Sequence, residues 1–265
     1  SIDFGGEIYM RQEGGGLLLG TYEHDGRAWS PQETPWDFGM QLLPPDLEHI
    51  SENLDVGFAH FPIFADAGLK QVVNGPFTFS PDGNPLLGPV RGLPGYWCAC
   101  AVMAGLSQGG GVGLALANWM TDDDPGFDIW GMDVSRYGEF ATSAYTRAKV
   151  NENYGRRFRI TYPNEFLPIG RPLQTTAAHD RWSEFNAVWG DSYGLEVPQW
   201  FQRPGLDPTE ELTWHRSNAW DRVAQESDLV RNSVGVTETS GFSKFRFSGP
   251  GARDFLSWVL AGRIP

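Results

Sequence analysis

The stretch of this chain with the greatest chemical interest is Ala104–Met120, AGLSQGGGVGLALANWM, where a glycine cluster runs into an apolar, helix-like segment. Glycines ahead of a helix commonly hold a phosphate on bare amides. A dinucleotide loop needs G-x-G-x-x-G straight after a strand, with an acid about 20 residues on for the ribose. Here Gly111-Val112-Gly113 is followed by Leu114-Ala115-Leu116, so the spacing fails. The Lys-Ser/Thr of a P-loop is missing as well. What remains is a strand ending at Met103, a small-residue loop, and a helix predicted from about Gly111 to Thr121. The first amides of such a helix are unpaired and carry partial positive charge. Glycines remove side-chain cover, so a flat ligand has room to lie on the backbone. A close helix-to-sheet contact across a glycine turn is the other reading of the same residues.

Other reactive side chains offer less. Cys98 and Cys100 stand two apart on a predicted strand, point to one face and are poorly placed to bridge each other. They form no C-x-x-C pair, and the histidines (His24, His49, His60, His179, His215) are scattered, so no metal site is expected. The thiols read as buried and structural, the histidines as surface or satisfied structural residues. Asp122-Asp123-Asp124 reads as a solvated helix end, and Arg156-Arg157 as surface or interdomain ion-pair partners.

The elements that must position these residues follow from pattern. Glu7–Gln12 and Leu17–Tyr22 flank Gly14-Gly15-Gly16 as a hairpin. Leu47, Ile50, Leu54, Phe58 and Phe61 fall at helical spacing. Lys70–Phe79 is predicted to be a strand, and Ser80–Pro85 a turn. Tyr96–Met103 is apolar without alternation, as in a strand buried on both faces. Helices are predicted within Glu139–Asn153, over residues 216–235 and from near Pro250. Strands are expected between the last two.

Composition narrows the partners. The chain has 265 residues, 40% hydrophobic and 14% aromatic, enough for a real core. A net charge of -13 sets it against phosphate backbones, so nucleic acid is not an expected partner. No run approaches the ~18 apolar residues of a membrane span. The chain opens on Ser1-Ile2-Asp3-Phe4 without a basic, signal-like start, and a cytoplasmic location is the expectation.

Ordered motifs add a resemblance. They are Tyr9-Met10-Arg11-Gln12-Glu13 with Gly15–Glu23, Asn74-Gly75-Pro76 with Phe79–Gly83, Leu87-Gly88-Pro89, and Gly110-Gly111-Val112-Gly113 with Trp119-Met120. Met132–Gly138, Gly170–Leu173, Trp200-Phe201, Val230-Arg231, Val234-Gly235, Ser240–Phe245 and Ser248-Gly249-Pro250 follow. In this order and spacing the chain resembles the flavin-dependent amine dehydrogenases of the dimethylglycine/sarcosine dehydrogenase group. The resemblance implies an α+β chain from the centre of such a protein. Residues 1–130 would end an FAD/substrate domain of the D-amino-acid-oxidase type. Residues 131–205 would form a connecting domain, and 206–265 would begin an aminomethyltransferase-like, folate-type domain.

The same resemblance implies the function. An N-methylglycine-type amine, dimethylglycine or sarcosine, would lose hydride to FAD, and the one-carbon unit would pass to tetrahydrofolate in the intact protein. An N-terminal FAD-binding half, on this or another chain, would complete the site. Met103, Ala104, Gly105, Leu106, Ser107, Gly109, Gly110 and Gly111 would face the flavin ring, Tyr9 would stand in the substrate pocket, and Arg11 would meet a substrate carboxylate. Simpler sarcosine oxidases carry a lysine where Leu106-Ser107 stand here, a departure that bears on the carboxylate holder. In the folate-type portion, Thr237-Glu238 stand where an acidic residue commonly follows Val-Gly. A non-catalytic relative, like a regulatory subunit of pyruvate dehydrogenase phosphatase, is the alternative. A free-standing folate-binding module is a third reading.

Overall fold

A computed structural model describes residues 1–264. Helices and strands are mixed along the chain, as expected of an α+β protein. They gather into two compact units, residues 1–173 with 212–215, and residues 174–211 with the chain from 216 onward.

The first unit opens with strands β1 (Ile2–Asp3), β2 (Ile8–Glu13) and β3 (Gly16–Thr21), an antiparallel sheet in that order. Gly14 has φ 56, the conformation a tight hairpin turn requires at its first central residue. The turn sets the register, with Tyr9 opposite Gly20 and Arg11 opposite Leu18. Helix α1 (Ser51–His60) packs on this hairpin. Its periodicity is as read, but the buried face is not the expected apolar stripe. Asn53 and Gly57 are buried, whereas Phe58 is exposed. The reason is closeness. A Cβ on Gly57 would stand 2.6 Å from Leu19 Cδ2, and Asn53 Nδ2 donates to the Glu7 carbonyl at 3.4 Å.

Strands β4 (Leu86–Pro89) and β5 (Trp97–Cys100) form a separate two-stranded sheet. Here two expectations fail. The strand stops at Cys100, because Ala101 turns away with φ 52. Nor is it buried on both faces: Cys98 is half-buried, Cys100 is exposed, and both thiols are free. A sheet of two strands has too little surface around it to cover both faces of either. Burial and the neighbouring Cys100 push the Cys98 thiol up, which disfavours thiolate chemistry.

Helix α2 (Gly105–Asp122) starts well before the predicted Gly111. Its second half is anchored: Val112 and Ala115 share a core with Leu87 and Ile129, flanked by Val102, Leu116, Trp119 and Met132. Helix propagation is cooperative once a nucleus is held, so this anchor carries the helix back through glycines that propensity alone disfavours. The aspartate run ends it in a defined way. Asp123 adopts the left-handed C-cap at φ 58, and Asp124 accepts from the Gly126 amide at 2.6 Å.

Helix α3 (Ser143–Arg156) is capped by the Thr142 hydroxyl, which accepts from the Tyr145 amide at 3.2 Å. Lys70–Phe79 forms no strand. Phe77 and Phe79 instead meet Tyr154 of α3 edge-on, at 6.3 and 5.5 Å between ring centroids. Aromatic packing replaces the ladder that this segment lacks.

The second unit holds helix α4 (His179–Glu184), the hairpin β6 (Ala187–Ser192) and β7 (Leu195–Phe201), and helices α5 (Trp220–Asn232) and α6 (Ala252–Val259). Trp200, 2% exposed, centres its core with Val188 and Ala219. The strands expected between α5 and α6 do not form. Side-chain bonds hold that segment instead: Trp182 Nε1 donates to Glu238 Oε2 at 2.6 Å, and Lys244 Nζ donates to the Phe242 carbonyl at 2.6 Å.

Gly88 joins the two-stranded sheet to α2. It has φ 106, and a Cβ there would stand 2.6 Å from Trp119 Cζ3. Gly88→Ala should cost about 3 kcal/mol, combining left-handed backbone strain with overpacking. Urea unfolding followed by tryptophan fluorescence would read the loss.

Candidate functional site

The start of α2 has an unusual surface. Gly105, Gly109, Gly110 and Gly111 are exposed, and a Cβ on any of them would meet nothing within 4 Å. No side chain caps the helix at Ala104. Ser107 turns its hydroxyl back to the Ala104 carbonyl at 3.1 Å, leaving the glycine face bare. Leu106 stands fully exposed beside it. Gln108, which sequence reasoning passed over, has its Oε1 buried without a hydrogen-bond partner among the described residues. The helix end therefore offers partial positive charge, flat backbone and one spare acceptor. Of the sequence candidates, Gly105–Gly111 lie inside the helix rather than in a loop, while Met103 and Ala104 form the turn that leads into it.

Tyr9 and Arg11 lie on one face of the β2–β3 hairpin, as alternation requires. Arg11 makes an exposed ion pair with Glu13 at 2.8 Å. Tyr9 belongs to an aromatic group. Its ring centroid lies 5.2 Å from that of Tyr22, and Tyr22 stacks on Phe158 at 3.6 Å. Burial, then the neighbouring Tyr9, raises the Tyr22 phenol. Burial and the Glu23 carboxylate together push the Tyr154 phenol far above its usual range, with Tyr9 adding to the effect. In Tyr22 and Tyr154 the protonated phenol is therefore favoured over the phenolate. The hairpin packs on α1 whereas α2 packs on β4, so the two groups of candidates ride on separate elements.

Below the hairpin, Glu7 is buried at 4% exposure and meets His24 Nδ1 at 2.5 Å and Arg159 Nε at 3.2 Å. Arg156 pairs with Glu165, while Arg157 lies over the Phe79 ring at 5.5 Å. Among the described residues, no three His, Cys, Asp or Glu side chains are grouped to hold a metal ion.

A bidentate ion pair lies elsewhere. Arg136, its side chain 3% exposed, grips Asp82 through two bonds, Nε to Oδ2 at 2.8 Å and Nη2 to Oδ1 at 2.9 Å. Ser80 Oγ and the Asn84 amide also donate to Asp82 Oδ1, at 2.9 and 3.0 Å. Burial pushes the Asp82 carboxyl up, but these bonds outweigh it and hold it below the ordinary carboxylate range.

Comparison with known proteins gives a consistent order of modules. The family model described as FAD dependent oxidoreductase matches residues 1–119, the FAD dependent oxidoreductase central domain matches 122–176, and the GCVT N-terminal domain matches 178–265. Mitochondrial dimethylglycine dehydrogenase of Mus musculus is 35% identical over 268 residues, covering 99% of this chain and 31% of that protein. The 4-methylaminobutanoate oxidase (formaldehyde-forming) of Paenarthrobacter nicotinovorans is 32% identical over 264 residues, covering 99% and 32%. Mitochondrial sarcosine dehydrogenase of Homo sapiens is 26% identical over 289 residues, covering 99% and 31%. The chain thus spans about a third of the length of the curated relatives it matches.

The depressed Asp82 value fixes a sign. Its contribution is complete above the unfolded carboxylate value of about 3.9 and is lost as pH falls through the lower native value. Arg136→Ala should cost about 3 kcal/mol, near the low end for breaking a buried pair because Asp82 is 38% exposed. It should also flatten the fall in stability below about pH 4. Urea titrations at pH 7 and pH 3 test both points.

Proposed function

Because this chain belongs to the flavin-dependent amine dehydrogenases of the dimethylglycine/sarcosine dehydrogenase family, we propose that it serves an oxidative demethylation of an N-methylglycine-type amine. Dimethylglycine and sarcosine are the substrates we infer. The observation that carries the reading is the uncapped, glycine-surfaced start of α2, the part of the site that this chain itself provides.

The residues present fit part of the FAD cofactor. Gly105, Gly109, Gly110 and Gly111 leave a flat face for an aromatic ring, the Gln108 Oε1 acceptor suits an N–H group, and the helix end suits negative charge. They do not offer a phosphate loop, in keeping with an FAD-binding half that would precede residue 1 or stand on a partner chain. When bound, FAD supplies the hydride acceptor. The work of this chain is to place and stabilise. The α2 N-terminus stabilises the charge that develops on reduction. The Tyr9 phenol orients the amine or assists its deprotonation, since hydride leaves readily only from a neutral amine. Arg11 is the candidate for a substrate carboxylate, exchanging its exposed Glu13 partner for it. The segment from residue 178 would open the module that hands the one-carbon unit to tetrahydrofolate.

The full-length protein should be yellow and should bleach anaerobically with dimethylglycine or sarcosine. A colourless protein that takes up no FAD would overturn the reading and favour a non-catalytic, regulatory role. Tyr9→Phe should slow flavin reduction at least ~10-fold in stopped flow, an effect typical of a lost acid–base group. Gly110→Leu places a branched chain on the bare face. It should lower the flavin content of the purified protein, read from its visible absorbance, while leaving its circular dichroism unchanged.

A further inference from the structure

We propose that Gly20 is a positioning residue, whose missing side chain is the space in which the Tyr9 ring lies. The proposal rests on the reading of Tyr9 as the phenol that faces the amine. Tyr9 and Gly20 stand directly opposite each other across β2 and β3. A Cβ built on Gly20 would lie 2.0 Å from Tyr9 Cζ, 2.2 Å from Cε1 and 2.3 Å from Oη. Non-bonded carbons settle at about 3.5–4.0 Å. The ring is therefore folded flat over its partner glycine rather than standing off the sheet, an arrangement in which an aromatic ring covers a cross-strand glycine.

The rest of the surroundings hold the ring in that seat. Tyr22 lies diagonally across the same hairpin face and flanks Tyr9 at 5.2 Å, backed by its own stack on Phe158. Tyr154 uses the same device. A Cβ on Gly26 would stand 2.3 Å from Tyr154 Cδ1. With Tyr22 stacked on Phe158 and Tyr154 packed edge-on against Phe77 and Phe79, the phenols near Tyr9 are held by their own neighbours. Gly20 thus sets one orientation of Tyr9, and hence one position of its hydroxyl.

The clash that an alanine would create involves the far end of a side chain, not backbone. The ring can swing away by rotation about χ1, so the sheet survives while the phenol moves. To regain ordinary contact the ring must retreat by about 1.5 Å, and a displacement of about 1 Å is enough to cost a reaction ~100-fold. The glycine is a matter of geometry for the reaction more than of stability for the fold.

The test is a double-mutant cycle on the full-length flavin-loaded enzyme, joined to a readout that needs no turnover. Gly20→Ala should slow flavin reduction by dimethylglycine about 10–100-fold, with the thermal midpoint within a few degrees of the parent. In a Tyr9→Ala background, where no ring remains to be displaced, Gly20→Ala should change the rate less than about twofold. With 3-fluorotyrosine placed at position 9, Gly20→Ala should shift the fluorine NMR resonance. An unmoved resonance, or an equal loss of rate in both backgrounds, overturns the proposal, since Gly20 would then act through the backbone. If the resonance moves but Tyr9→Phe and Tyr9→Ala reduce flavin at the parental rate, Gly20 seats the ring as proposed. The reading of Tyr9 as the amine-facing phenol is then what fails.

Discussion

The bidentate contact between Arg136 and Asp82 organises the first unit. Asp82 sits in the turn that follows the aromatic Phe77–Phe79 segment and precedes β4, and Arg136 sits beyond the end of α2. Close to this pair, residue 133 lies beside Leu87, where the two segments form an isolated parallel bridge. Ile129 and Met132 are carried into the core with it. Desolvation makes such a pair a modest source of net stability, but an unpaired arginine at that depth is costly. The pair therefore selects one arrangement of the turn against the segment that follows α2. It spans the stretch matched by the oxidoreductase family model and the stretch matched by its central domain.

Helix α2 depends on that arrangement. Val112 and Ala115 of its second half are buried against Leu87 and Ile129, whereas the glycines of its first half are exposed. A helix with glycine through its first turns has little reason to exist alone, since each costs about 1 kcal/mol relative to alanine. Tertiary anchoring of the second half supplies that cost and leaves Gly105, Gly109, Gly110 and Gly111 as bare backbone in the first. Stability and the proposed flavin contact are thus divided along one helix, and the residues proposed to face the flavin are those that contribute least to folding.

A second coupling runs through aromatic rings. Tyr22 of the hairpin region stacks on Phe158, while Tyr154 of α3 meets Phe77 and Phe79. Glu7, buried at the start of β2, reaches Arg159 beyond α3. Ring packing and a buried carboxylate together fix the hairpin against the segment around α3, without a shared sheet. The same rings replace the strand that Lys70–Phe79 was expected to form. Aromatic residues favour strands only where a ladder partner exists, and here better partners lie on a helix.

The amino-acid sequence by itself determined the hairpin, the approximate places of α1, α2, α3, α5 and α6, and the absence of a phosphate-loop spacing. These rest on short-range chemistry: turn glycines, apolar period and motif spacing. The pairing of Tyr9 with Gly20 was also within reach, since a hairpin's register follows from its turn, but that one partner lay flat on the other was not. Tertiary structure alone decided that α2 extends back to Gly105, that α1 buries Asn53 and Gly57, that Cys100 is exposed, and that Asp82 and Arg136 find each other. Each is settled by residues far apart in sequence, whose packing and desolvation outweigh the local preferences that a sequence displays.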